Sequence, residues 1–132
     1  MKLVEIINAV IPLRNLSEVR FTSFKKAREI ALLRKKVEEE ADFYSKEETK
    51  IVEQYAVRNE KGEVDFLDGG RIKLKTKEDK EAFEKAIAEL RSLEIEGIKK
   101  VVLCDADFAE AKRAPTPNEL LALEAVIDFK ED

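Results

Sequence analysis

The feature that most constrains this chain is a run of residues at alternating spacings of three and four: Ala27, Ile30, Arg34, Val37, Ala41, Tyr44, Glu48, Ile51 and Tyr55. Steps of three and four keep side chains on one helical face, and repetition over about four heptads makes a coiled-coil-type seam. The spacing predicts one amphipathic helix over Phe24–Tyr55. At 1.5 Å per residue it is about 48 Å long. A compact chain of 132 residues has a radius of gyration of about 14 Å. The helix must therefore project, break, or pack against another chain. Ser45, with Glu48 three residues later, offers a break as an internal capping box.

Two polar residues, Arg34 and Glu48, interrupt the seam symmetrically about Ala41. If two copies cross antiparallel at Ala41, Arg34 of one approaches Glu48 of the other. Polar seam residues are best known for setting register. Charge follows the same division: residues 1–36 carry a net +6 and residues 37–70 a net −7. A homo-oligomer through these nine residues is one expectation. Packing of the same face on a helix over 77–93 of the same chain is the other.

Charged residues make up 41% of the chain, against a typical ~25%. With four glycines and three prolines, this composition opposes both disorder and a loop-rich all-β fold. It predicts exposed helices laced with ion pairs. The length suits a single domain over 1–132, able to fold without disulfides or metals. Cys104 is the one cysteine and ends the apolar run Val101-Val102-Leu103; it reads as a core thiol. There is no histidine, which removes Ser-His and Cys-His catalysis and nearly every ordinary zinc site. No catalytic, cofactor-binding or metal-binding residue is assigned, and no cofactor is implied. The apolar start, 3–13, is broken by Glu5, Asn8 and Pro12 and is too short to span a bilayer. The expectation is a cytoplasmic protein with no membrane partner.

Other elements are announced by local signals. Leu3, Ile6, Ile7, Val10, Leu13 and Leu16 predict a helix over 2–16, kinked or broken at Pro12. Thr22 or Ser23 can cap the long helix, and Gly62 can supply a turn after it. Segments 64–67 and 72–74 flank Asp68-Gly69-Gly70 as a hairpin. Thr76 caps the helix over 77–93, whose apolar face is Phe83, Ala86, Ile87 and Leu90. Segments 93–98 and 100–104 read as strands joined near Gly97. Thr116, Pro117 and Glu119 are the N-cap, first-turn proline and box acid of a helix over 118–124. A short strand over 125–129 follows. The fold class is α+β: a long amphipathic helix, or helical hairpin, beside a small antiparallel sheet.

Three motifs bear on chemistry. Asp105-Ala106-Asp107 after an apolar strand resembles the opening of haloacid-dehalogenase-type phosphatases, in which the first Asp attacks phosphorus and the second is an acid/base beside Mg²⁺. Ala109 stands where that family has Thr or Val, and the pair reads better as aspartates that end a strand and cap a turn. Gly69-Gly70 has no following Lys-Ser/Thr and reads as a turn rather than a phosphate loop. The basic residues Arg20, Lys25, Lys26, Arg28, Arg34, Lys35 and Lys36 could neutralise phosphates. They support an alternative function as a nucleic-acid-associated accessory protein using the region 20–36. Few aromatics are available to stack on bases.

The order of features also resembles a known group. It covers the opening Lys2-Leu3-Val4-Glu5-Ile6-Ile7-Asn8-Ala9, then Ala27-Arg28-Glu29-Ile30, the charged stretch 37–42 and Ile51-Val52-Glu53-Gln54-Tyr55. It continues through Asn59-Glu60-Lys61-Gly62-Glu63, 83–90, Leu93-Glu94-Ile95-Glu96 and the closing Thr116-Pro117-Asn118-Glu119-Leu120-Leu121-Ala122-Leu123-Glu124. In these the chain resembles short phage- and prophage-encoded proteins of unknown function from Gram-positive hosts, departing from them in its long 97–115 segment. The resemblance implies a phage origin and a morphogenesis or accessory role, in the host cytoplasm if so; it implies no activity and assigns no functional residues. The expected function is non-enzymatic assembly or interaction, with itself or with another phage or host protein as partner.

Overall fold

Local periodicity sets the order of elements. They are α1 (Leu3–Leu16), α2 (Phe24–Tyr55), α3 (Lys77–Arg91), β1 (Val101–Cys104), a 3-10 turn (Asp105–Phe108), α4 (Pro117–Leu123) and β2 (Ile127–Lys130). The computed structural model describes residues 1–64, 73–74 and 76–131. The chain forms two compact units, one of Met1–Asp42 with Glu94–Asp132 and one of Phe43–Leu93.

In the first unit, α1 buries Leu3, Ile6, Ala9, Val10, Leu13 and Leu16, the face its spacing marks out except that Ala9 is buried and Ile7 only half-buried. It continues through Pro12 without the expected break; an interior proline costs about 3 kcal/mol, which burial of the helix's apolar face on both sides of it offsets. Ser23 is the cap of α2, its Oγ accepting from the Lys26 N–H at 3.2 Å. Ile30, Leu33 and Val37 of α2 enter the same core as Leu13, Leu103, Leu123, Val126 and Ile127. Full burial of each such side chain is worth about 1.5–3 kcal/mol.

The strands depart from expectation. β1 and β2 pair parallel, in register from Val101 opposite Ile127 to Cys104 opposite Lys130. Segment 93–98 is not a strand: only Glu94 forms an isolated antiparallel bridge, with Lys2. A hairpin turns its second strand antiparallel, whereas a helix-bearing crossover returns the chain to the starting end of the sheet. Here α4 lies in the crossover, so the sheet is a βαβ unit. The closing helix has the cap its letters announce: the Thr116 Oγ accepts from the Glu119 N–H at 3.2 Å, and the Glu119 carboxylate accepts from the Thr116 N–H at 3.1 Å.

In the second unit, α2 passes Ser45 without breaking. Thr49 Oγ donates to the Ser45 carbonyl at 2.9 Å, a back-bond within the helix. The face of α2 packs on α3 of the same unit: Arg91 Nε donates to the Tyr44 hydroxyl at 3.2 Å, and the Tyr55 and Phe83 rings meet edge to face at 6.4 Å. Thr76 caps α3 through the Asp79 N–H at 3.0 Å. After α2 the chain turns at Gly62, where φ is +77°. The Asn59 Oδ1 accepts from the N–H groups of Lys61 and Glu63 across the turn. The hairpin expected about Gly69-Gly70 lies outside the described residues. Its described ends, Val64 and Leu74, form single antiparallel bridges with Arg58 and Ala56. Among the described residues no helix is long and apolar enough to cross a membrane.

Candidate functional site

The seam of α2 is shared between the two cores. Ile30 and Val37 are buried in the first unit, with Ala41 packed against that cluster. Tyr44 is buried in the second unit, with Ile51 and Tyr55 half-buried; Ala27 is exposed. Both polar interruptions have neighbours of complementary chemistry in their own chain. Arg34 Nε lies 3.0 Å from the Glu38 carboxylate, one helical turn on. Glu48 acts on Tyr44 and Arg91 within the second unit. Burial raises the Tyr44 hydroxyl pKa above its ordinary value, with Arg91 opposing and Glu48 adding to the shift.

Glu38 is clamped from a second helix as well, its carboxylate lying 2.5 Å from Arg14 Nε of α1. The hydrogen bond from Arg14, reinforced by Arg34, holds its pKa below the ordinary 4.5 against the opposing effect of burial. A carboxylate with a lowered folded-state pKa adds stability above its unfolded pKa, and that stability is lost as pH falls through the folded value. Glu38→Gln is therefore expected to flatten the decline in stability of the first unit below about pH 5. The carboxylate is 32% exposed, so the difference should stay within about 1 kcal/mol. Urea midpoints measured at neutral and acid pH check this; an unchanged acid slope would show the clamp to be energetically idle.

Of the two strand-end aspartates, Asp107 has a structural task. The Asp107 carboxylate accepts from the Cys104 N–H at 2.9 Å, closing the 3-10 turn, and Cys104 is half-buried. Among the described residues no group of three or more potential ligands is placed to hold a metal ion.

The basic residues are divided among faces. Arg20 lies 3.7 Å from Glu110. Lys35 shares a hollow with Arg34, Glu38, Glu39 and Asp42, and Lys25 and Arg28 are exposed. Lys26 and Lys36 go elsewhere. With Glu29, Leu32 and Leu33 they form one wall of a groove of about 410 Å³. Gly97, Lys99, Lys100, Val101 and Val102 form the other. The helical wall follows from spacing, since 26, 29, 33 and 36 recur at three and four.

Lysines span this groove at both ends. Lys26 Nζ donates to the Val102 carbonyl at 2.7 Å, and Lys36 Nζ donates to the Gly97 carbonyl at 3.1 Å. Val101 N–H donates to Val126 O beside β2. Val102, next along the strand, therefore turns its carbonyl to the opposite, open edge of β1, which Lys26 covers; lysine is a common guard of such edges. The floor is apolar, with Leu33 5% and Val101 8% exposed, while Leu32 and Val102 stand up from it at 47% and 40%. Four lysines face one glutamate, Glu29, which lies 3.5 Å from Lys26. The remaining basic residues, Lys36, Lys99 and Lys100, gather at the other end, where Lys100 also borders a hollow lined by Glu5, Glu96 and Glu124.

Of the basic residues singled out in the sequence, the structure brings only Lys26 and Lys36 to this groove. The sequence reading missed Lys99 and Lys100, whose signal was a basic pair just ahead of an apolar strand. No protein-family model, curated protein or solved structure matches the chain at a significant level.

Proposed function

We propose that this chain is a non-enzymatic interaction protein, of the accessory or assembly kind that the phage resemblance implies, acting in the host cytoplasm. We place its binding surface at the lysine-rimmed groove of the first unit rather than along the seam of α2. One observation carries this reading: four lysines from two distant segments converge on an apolar floor with a single acidic residue among them. Such a groove attracts an anionic partner, and its apolar floor rewards contact once charge has steered the encounter. Self-association through the seam has less support, because Ile30, Val37 and Tyr44 are buried by their own chain. Nucleic acid is a weaker candidate because the groove walls contain no aromatic ring to stack on a base.

Retention of the intact protein on immobilised polyglutamate tests the proposal. Binding should weaken with salt, as screening over about 10 Å at 0.1 M requires. It should disappear in the triple variant Lys36→Glu, Lys99→Glu, Lys100→Glu and survive Lys25→Glu with Arg28→Glu. If instead an oligonucleotide is retained and Lys25, Arg28 and Lys35 carry the binding, the basic 20–36 region is the site and the groove reading is wrong.

A further inference from the structure

The groove has dimensions and a polarity that describe its occupant, an inference that rests on the anionic-partner reading just given. Lys26 and Lys36 lie ten positions apart on α2, which is about 15 Å of helix. They reach Val102 and Gly97 respectively, so the opposite wall runs antiparallel to α2 over the same length. About 15 Å is the length of four or five residues of extended chain at ~3.3 Å each. A helix would need a channel roughly 10 Å across, whereas here lysine side chains bridge the walls.

The middle of the groove is apolar, with Leu32 and Val102 exposed on facing walls above Leu33 and Val101. One end is neutralised by the Lys26–Glu29 pair. The other holds Lys36 with the exposed Lys99 and Lys100. We infer that the groove binds an extended peptide segment of a partner protein, carrying one large apolar side chain over Leu32 and Val102 and carboxylates on one side of it for Lys36, Lys99 and Lys100. Charge attracts the segment and the apolar residue selects it. A bare polyanion meets only the first condition.

Fluorescence anisotropy with labelled peptides tests this on the whole protein. The probe has a single leucine followed by a run of aspartates and glutamates; the comparators replace leucine by serine, reverse the order of leucine and acids, or substitute an oligothymidylate of equal charge. The leucine peptide, in one of its two orders, should bind at least tenfold more tightly than the serine peptide and the oligothymidylate. Lys99→Glu with Lys100→Glu should abolish that binding. Leu32→Ser, at an exposed position that the fold does not need, should erase the leucine preference while leaving the residual charge-driven binding. Circular dichroism verifies that each variant keeps its helix content. Equal affinity for the leucine and serine peptides, lost on lysine reversal, would overturn the inference and leave the anionic-groove reading standing. Retention of polyglutamate by the lysine-reversed protein, or no binding of any probe, would overturn both.

Discussion

Val37→Asp is expected to unfold the first unit rather than to dissociate an oligomer. Val37 has no exposed surface and sits among Ile30, Leu33 and the strand residues of the core. A carboxylate at that position loses its hydration and finds no cation in the apolar cluster, at a cost of several kcal/mol even after the group takes up a proton. Domains of this kind have only about 5–15 kcal/mol of total stability. Urea unfolding followed by circular dichroism should show the transition of this unit moved to very low denaturant or lost. If the seam were a contact between copies, Val37→Asp would yield a fully helical protein of lower mass by light scattering. On the same reasoning Arg34→Glu, alone or with Glu48→Arg, should leave the mass of the protein unchanged, because the groups those residues face belong to their own chain.

The second large effect lies in the short sheet. Leu103→Ala should cost about 3–5 kcal/mol, whereas Val102→Ala should stay within about 0.5 kcal/mol. Leu103 has no exposed surface and Val102 is 40% exposed, one residue away on the opposite face of β1. Deleting three carbons from the first leaves a cavity walled by α1, α2 and α4 residues that cannot all collapse together. Removing the methyl groups of the second merely uncovers part of a groove wall. Urea midpoints of the two variants, at unchanged slope, measure the contrast. Equal losses would mean that both faces of β1 are packed and that the groove is closed.

Much of the fold was legible because its signals are local. The three-and-four spacing marked α1 and α2 within a residue or two. The Thr116-Pro117-Glu119 cap marked α4, and Thr76 marked the start of α3, since a cap is satisfied by N–H groups only three residues away. Even the aspartate pair after β1 was readable as a turn, closed by the bond from Cys104 N–H to Asp107. The sense of the sheet was not legible. Nothing within a four-residue strand says which neighbour it will choose, and the choice of β2 over segment 93–98 depends on where α4 docks against α1.

The long seam shows the same boundary most clearly. Its period alone marked Phe24–Tyr55 as helical with one apolar face, because a 3.6-residue repeat is a property of neighbouring residues; that the helix runs unbroken past Ser45 was decided by the structure. What that face meets was decided by tertiary structure: an apolar stripe is equally complementary to a second chain and to its own core, and only packing chooses between them. The groove lies further beyond the reach of pattern. Lys26 and Val102 are separated by 76 positions and Lys36 and Gly97 by 61, and no periodicity spans such gaps. A run of basic letters became a lysine-rimmed groove only when the fold set two of them opposite Lys99 and Lys100 and turned the others to different faces.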